Sequence, residues 1–105
     1  MQKATAELLE KDSYILFIHT PFCGTCTVAR AMLEKIEGIH GQDIFLEMNA
    51  NYEAPFLHEQ KIESVPCLLI KKEGKFVEKI YTFYSTANIY HYLFEYKPEL
   101  FHANY

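Results

Sequence analysis

The apolar run Tyr14-Ile15-Leu16-Phe17-Ile18, closed by His19, has no polar alternation and is partly β-branched. Such a run predicts a strand buried on both faces. The pattern then changes period. Val28-Ala29-Arg30-Ala31-Met32-Leu33-Glu34-Lys35-Ile36 is rich in helix formers, and Val28, Met32 and Ile36 recur at i, i+4 and i+8, the spacing of an inward helical face. This helix is expected to start near Cys23 and run to about Glu37, with Gly38 as its C-cap and 38–43 as a loop. Ile44–Asn49 predicts a second strand, and the strand–helix–strand order implies a right-handed parallel crossover. Upstream, residues 3 to 11 read as a short amphipathic helix with Ala4, Leu8 and Leu9 inward. Downstream, Asn51–Glu59 reads as a short helix with Asn51 or Tyr52 near its cap and Pro55 in its first turn. Cys67–Lys71 and Lys75–Tyr81 read as a hairpin about Glu73-Gly74. Ser85 or Thr86 caps a last helix over 87–96, with Ile89, Leu93 and Tyr96 inward, and Pro98 stops it. A short aromatic tail runs to Tyr105. The order α, β, α, β, α, β, β, α predicts an α/β fold: a four-stranded mixed sheet, a parallel βαβ unit plus an antiparallel hairpin, with helices on both faces.

Composition narrows the function classes. The 105 residues fit one domain, 1–105, and 50% of them are hydrophobic, enough for a packed core. A net charge of −4 gives no electrostatic case for a nucleic-acid partner. No apolar run approaches the roughly 18–20 residues that span a bilayer, so no membrane partner is expected. The first residues carry charges where a secretion signal has an apolar stretch, which points to the cytoplasm. The 3 cysteines are an odd number and too few for a disulfide scaffold. In a reducing compartment a close pair of them points to redox chemistry or metal binding.

That pair is Cys23-Gly24-Thr25-Cys26, placed where the strand pattern gives way to the helix pattern. At a helix N-terminus the free N–H groups and the helix dipole stabilise an anion, so a thiolate is favoured at Cys23. The competing reading is a zinc half-site, which needs two more ligands; Cys67 and His19 are the available neighbours. His40, His58, His91 and His102 are scattered and suggest no metal cluster.

Three features together carry a resemblance to the thioredoxin family: Cys23-Gly24-Thr25-Cys26 between strand and helix, Val65-Pro66 just before the third strand, and the Gly74 turn followed by an antiparallel strand and a final helix. The similarity covers the chain from about Leu8 to Tyr96. It implies the thioredoxin fold without its N-terminal strand and a thiol–disulfide oxidoreductase acting on protein disulfides. No metal or organic cofactor is implied, only an electron-donating reductase or a low-molecular-weight thiol. Cys23 is then the nucleophile and Cys26 the resolving cysteine. Val65-Pro66 takes the position of the family's cis-proline element, whose free backbone groups pair with an extended substrate. Phe22, Gly24 and Thr25 complete the expected substrate-facing surface. The alternative is a non-catalytic adaptor or a metal- or thiol-binding module with the same fold.

The chain departs from the family pattern at several positions. Phe22 stands where a Trp precedes the first cysteine, Thr25 and Ala31 stand where prolines are usual, and Phe17 replaces a buried strand aspartate that handles a proton for the second cysteine. Thr25 offers a hydroxyl near the Cys23 sulfur, and a hydrogen bond to the thiolate would make the disulfide more oxidising. Glu47 lies mid-strand on the face expected for Phe17 and Cys26. It is expected either to take over as acceptor of the Cys26 proton, directly or through water, or to be paired with a lysine or partly exposed where the strand ends. His19 is expected to stabilise the thiolate as imidazolium or to pack its ring under the loop. Cys67 is expected to be a small buried apolar residue or an alternative disulfide partner.

Overall fold

The computed structural model describes residues 1–102; residues 103–105, the end of the aromatic tail, lie outside the described residues. The elements in chain order are β1 Gln2–Lys3, α1 Ala6–Leu9, β2 Tyr14–His19, α2 Gly24–His40, β3 Leu46–Asn49, α3 Ala54–Glu59, β4 Cys67–Lys72, β5 Lys75–Ile80 and α4 Thr86–Tyr96, with 3-10 turns at Ala50–Tyr52 and Pro98–Phe101. One sheet joins the strands in the order β1-β3-β2-β4-β5. β1, β3 and β2 run parallel, and β4 and β5 complete the sheet antiparallel. The fold is therefore the expected mixed α/β sheet, with five strands rather than four.

The extra strand corrects the expectation that the opening strand is missing. Gln2 and Lys3 are both exposed and carry no strand pattern. Their pairing rests on backbone and terminal groups: Gln2 N–H donates to Phe45 carbonyl (3.3 Å) and Ala4 N–H to Glu47 carbonyl (2.9 Å). The Met1 amine pairs with Glu37 at 3.1 Å and Asp43 at 3.3 Å. α1 is correspondingly shorter than 3–11, and begins at a Thr5 cap whose hydroxyl accepts from Leu8 N–H at 3.2 Å.

The core lies on both faces of β2 and β4, as their unbroken apolar runs require. One face packs Phe17, Phe45, Leu68 and Ile70 under α2 and α4; the other packs Leu16, Ile18, Met48, Cys67 and Leu69. α2 presents Cys26, Ala29, Leu33 and Ile36 to the first face, while Val28 is exposed and Met32 only partly covered. The helix also runs past Gly38 to His40 and ends at Gly41, whose φ of 65° is the left-handed conformation glycine takes without strain. Glu37, buried in the last turns, accepts from the N–H groups of Ile44 (2.8 Å) and Phe45 (3.1 Å) and so fixes the entry of the chain into β3. β3 begins at Leu46, two residues later than expected.

The β4–β5 turn places Glu73 and Gly74 at φ 52° and 79°, the paired positive values of a tight hairpin turn. Ser85 caps α4 by accepting from Asn88 N–H at 3.2 Å. Ile89 and Leu93 are buried beneath it, and Tyr96 is half-buried with its hydroxyl donating to Glu78 at 2.8 Å.

Candidate functional site

The C-terminal end of β2 delivers His19, and the short connection Thr20–Phe22 hands the chain to α2. Phe22 has φ 60° and its ring stands fully out in solvent. A non-glycine residue in this conformation costs about 1–2 kcal/mol. Cys23 is the N-cap of α2, in extended conformation, and its Sγ accepts from Cys26 N–H at 3.2 Å. A group that occupies the cap and takes an N–H bond is where negative charge on sulfur is best supported. Cys23 and Cys26 are joined as a disulfide with Cα atoms 5.1 Å apart. Cys23 is partly exposed and Cys26 is buried.

The Thr25 hydroxyl lies 3.4 Å from Cys23 Sγ. The disulfide sulfur carries no hydrogen, so the hydroxyl donates. Thr27 Oγ1 donates to Cys23 carbonyl at 3.2 Å, closing the first turn. The peptide bond between Val65 and Pro66 is cis. Val65 is half-buried and Pro66 buried at the entry to β4.

Beside the dithiol lies a charged cluster. Arg30 follows Cys26 by one helical turn, which puts both on one face of α2. Its guanidinium donates to Glu47 Oε1 at 2.9 Å and Oε2 at 3.5 Å, and lies 3.0 Å from His19 Nε2. It also covers the Phe17 ring, 5.6 Å from the centroid. In the β2–β3 register Phe17 stands opposite Glu47, so the sheet delivers the carboxylate to the α2 side. The hydrogen bonds from Arg30 are the main reason that the Glu47 carboxyl is held below its usual range. Burial, and then the Arg30 charge, push His19 down, toward its neutral form. Arginine can only donate, so His19 Nε2 accepts and the ring proton sits on Nδ1. The 3.3 Å approach of the same nitrogen to Glu47 Oε1 is then a contact without a shared proton.

These facts place the expected site residues. Phe22, Cys23, Gly24, Thr25 and Cys26 form the turn and first helical turn. Glu47 is on the expected face, but its partner is Arg30; no hydrogen bond among the described residues joins it to Cys26. His19 is shifted away from the imidazolium form, and its Nε2 faces the Arg30 guanidinium. Cys67 lies fully buried on the opposite sheet face, where burial pushes its thiol up to about 11. No group of three or more His, Cys, Asp or Glu among the described residues is arranged to hold a metal. Sequence reasoning does not single out Arg30. Its position four residues after Cys26, on the same helical face, is the available signal.

Two depressions flank the cluster. One, of about 320 Å³, is lined by His19, Pro21, Phe22, Cys26, Thr27 and Arg30. The other, of about 380 Å³, lies across His19 and includes Glu47, Lys3, Asn49, Tyr52 and Glu53.

A dithiol capping the helix that follows one strand, with a cis X-Pro at the entry to the antiparallel strand paired with it, is the arrangement of thiol–disulfide oxidoreductases, and the comparisons agree. The thioredoxin family model matches residues 2–95, and the chain belongs to that family. It is 40% identical over 90 residues to the thioredoxin-like protein YusE of Bacillus subtilis (strain 168), a match covering 86% of this chain and 85% of that protein. Its fold is similar to a mutant thioredoxin from Halobacterium salinarum NRC-1, with TM-score 0.73, 15% identity, and coverage of 90% and 87% of the two chains. It is also similar to oxidised thioredoxin from Plasmodium falciparum, with TM-score 0.71, 14% identity, and coverage of 91% and 98%. No helix among the described residues is long and apolar enough to cross a membrane.

Proposed function

We propose that the protein is an oxidoreductase for protein disulfides and that Cys23 and Cys26 carry the reaction. The observation that supports this most is the position of Cys23: partly exposed, at the cap of α2, with its sulfur receiving Cys26 N–H. In the reduced form the Cys23 thiolate attacks one sulfur of a substrate disulfide. A Cys23–substrate bond forms, the substrate S–S bond breaks, and the displaced sulfur leaves as a thiolate. The Cys26 thiolate then attacks Cys23 Sγ, which forms the intramolecular disulfide and releases the second substrate thiol. Two electrons pass to the substrate, and a reductase or a low-molecular-weight thiol restores the dithiol.

Phe22, Gly24 and Thr25 offer the substrate an exposed edge, and in this reading the free backbone groups at Val65-Pro66 pair with its extended segment. In this reading Glu47 acts on the dithiol through the charge of Arg30 rather than as direct acceptor of the Cys26 proton, because a carboxylate held low by an arginine is a weak base. A reducing setting such as the cytoplasm fits a chain that keeps Cys67 as a free thiol.

Reduction of insulin disulfides with dithiothreitol tests the reading. The wild-type protein should accelerate it, and Cys23→Ser should remove at least about 99% of that acceleration. A Cys23→Ser protein as active as wild type would refute the assignment and favour an adaptor.

A further inference from the structure

We infer that Arg30 and Glu47 are positioning residues whose opposed charges set the acidity of the dithiol: Arg30 favours the thiolate and Glu47 cancels it. The inference rests on the redox reading of Cys23 and Cys26. Cys23, Cys26 and Arg30 fall at i, i+3 and i+7 along α2, so the guanidinium continues the stripe on which both sulfurs lie. Arg30 and Cys26 border the same depression. The guanidinium is held there from three sides, by the bidentate Glu47 contact, by His19 Nε2 and by the Phe17 ring.

The cluster is only partly exposed, with side-chain exposures of 31% for Arg30, 20% for Glu47 and 15% for His19. Charges so placed are less screened than free surface charges. The pair is electrically balanced, +1 against −1, with His19 in contact with both members. The dithiol therefore senses the difference between two nearly cancelling fields, and removing either member should unmask the other.

The other charged groups are accounted for. On α2, Glu34 and Glu37 act on Arg30 from its C-terminal side. Glu37 is itself paired with the Met1 amine. Lys3 of β1 and Glu53 border the depression beyond His19. From α4, Tyr90 meets His40 at the far end of α2. From β4, the Cys67 thiol is on the other sheet face. Among the described residues, Arg30 is the full charge that borders the depression with Cys26, and Glu47 is the carboxylate paired with it.

A purely structural pair and a charge-balancing pair give different results. If the pair only braces α2 against β3, losing either partner should disturb the dithiol in the same direction or leave it unmoved. If the charges act, the two losses should have opposite signs. Removing Glu47 leaves a cation, which favours the thiolate. Removing Arg30 leaves an anion, which opposes it.

The test is the pH midpoint of iodoacetamide alkylation of the reduced full-length protein, for wild type, Glu47→Gln, Arg30→Gln, the double variant and Arg30→Lys. A unit charge unmasked at this range should move the midpoint by about half a pH unit, a threefold change in the thiol ionisation constant. Glu47→Gln should lower the midpoint, Arg30→Gln should raise it, and the double variant should return to within about 0.2 of wild type. Arg30→Lys, which keeps the charge but not the fork, should stay on the wild-type side of Arg30→Gln. Equal-sign shifts in the two single variants, or no shift in either, would overturn the inference. The alkylated proteins are also compared by circular dichroism, and an Arg30→Gln variant that does not fold passes the decision to the sign of Glu47→Gln alone. Exchange of the wild-type dithiol with glutathione disulfide, giving protein disulfide and two glutathione thiols, is measured in parallel. Failure there would count against the redox reading itself, whereas normal exchange with unmoved midpoints counts only against the charge balance.

Discussion

Two glutamates flank the same stretch of sheet, and they do different work. Glu37, in the last turns of α2, is buried, and its carboxylate is taken up by the backbone N–H groups of Ile44 and Phe45 and by the Met1 amine. Glu47, on β3, is partly exposed and accepts from no backbone donor among the described residues; the side chains against it are Arg30, which donates, and His19. The first carboxylate supplies hydrogen bonds that the chain needs in order to turn from helix into strand. The second pairs with Arg30, on the helix that carries the dithiol. The comparison separates the two ends of α2: its C-terminal end holds the fold, and its N-terminal end holds the chemistry. Changes at the first should read out in stability, and changes at the second in thiol reactivity.

The largest expected effect tests the stabilising end. Glu37→Ala strands two buried N–H donors, each worth about 1–3 kcal/mol when unsatisfied, so unfolding should become easier by about 3 kcal/mol. Chemical denaturation measures this, and the glutathione equilibrium of the folded fraction should stay within about twofold of wild type. Glu47→Ala should cost under about 1 kcal/mol, since partly exposed ion pairs contribute little. Equal costs at the two positions would erase the distinction.

A smaller effect lies in pH. The Glu47 carboxyl is held below its ordinary value of 4.5 in the fold, chiefly by hydrogen bonds from Arg30. Its contribution is therefore complete above that value and is lost as pH falls through the folded one. His19 is lowered from 6.5, first by burial and then by Arg30, so its neutral form is favoured in the fold and stability declines as pH falls below 6.5. Both groups act in the same direction. Thermal melts from pH 7 to pH 4 should show a decline from this cluster of under about 1 kcal/mol, and one that is reduced in Arg30→Gln.

The smallest effect tests the chemical end. Thr25→Ala removes the hydroxyl 3.4 Å from Cys23 Sγ. One exposed hydrogen bond to the thiolate should shift the glutathione equilibrium about threefold toward a more reducing dithiol, with stability almost unchanged. A shift in the opposite sense would show that the hydroxyl does not stabilise the reduced sulfur.

What can be read from the sequence follows from where the signal resides. β2 and β4 are legible because strands buried on both faces are continuously apolar, and the hairpin is legible because Glu73-Gly74 carries its own turn signal. The dithiol is legible because two cysteines at three-residue spacing on a strand-to-helix boundary are a local feature. β1 is not legible: Gln2 and Lys3 are placed by backbone pairing, which leaves no mark in side-chain pattern. The inward face of α2 is misread at Val28 because its true stripe contains Cys26 and Ala29, small residues whose apolar signal is weak beside a valine. Gly38 suggests an early helix end, but the positive φ belongs to Gly41. Arg30 escapes notice because a charged residue within a helix ordinarily faces water. Only the strand register that puts Glu47 opposite Phe17 shows why this one turns toward the sheet.

The central claim is that Cys23 forms the first bond with substrate and Cys26 resolves it. Its most direct test is a trapping measurement: reduced Cys26→Ser protein incubated with an oxidised protein substrate, followed by mass mapping of the mixed disulfide. The account predicts a stable adduct through Cys23, and none with Cys23→Ser. An adduct through Cys67, or equal trapping by both variants, would contradict it.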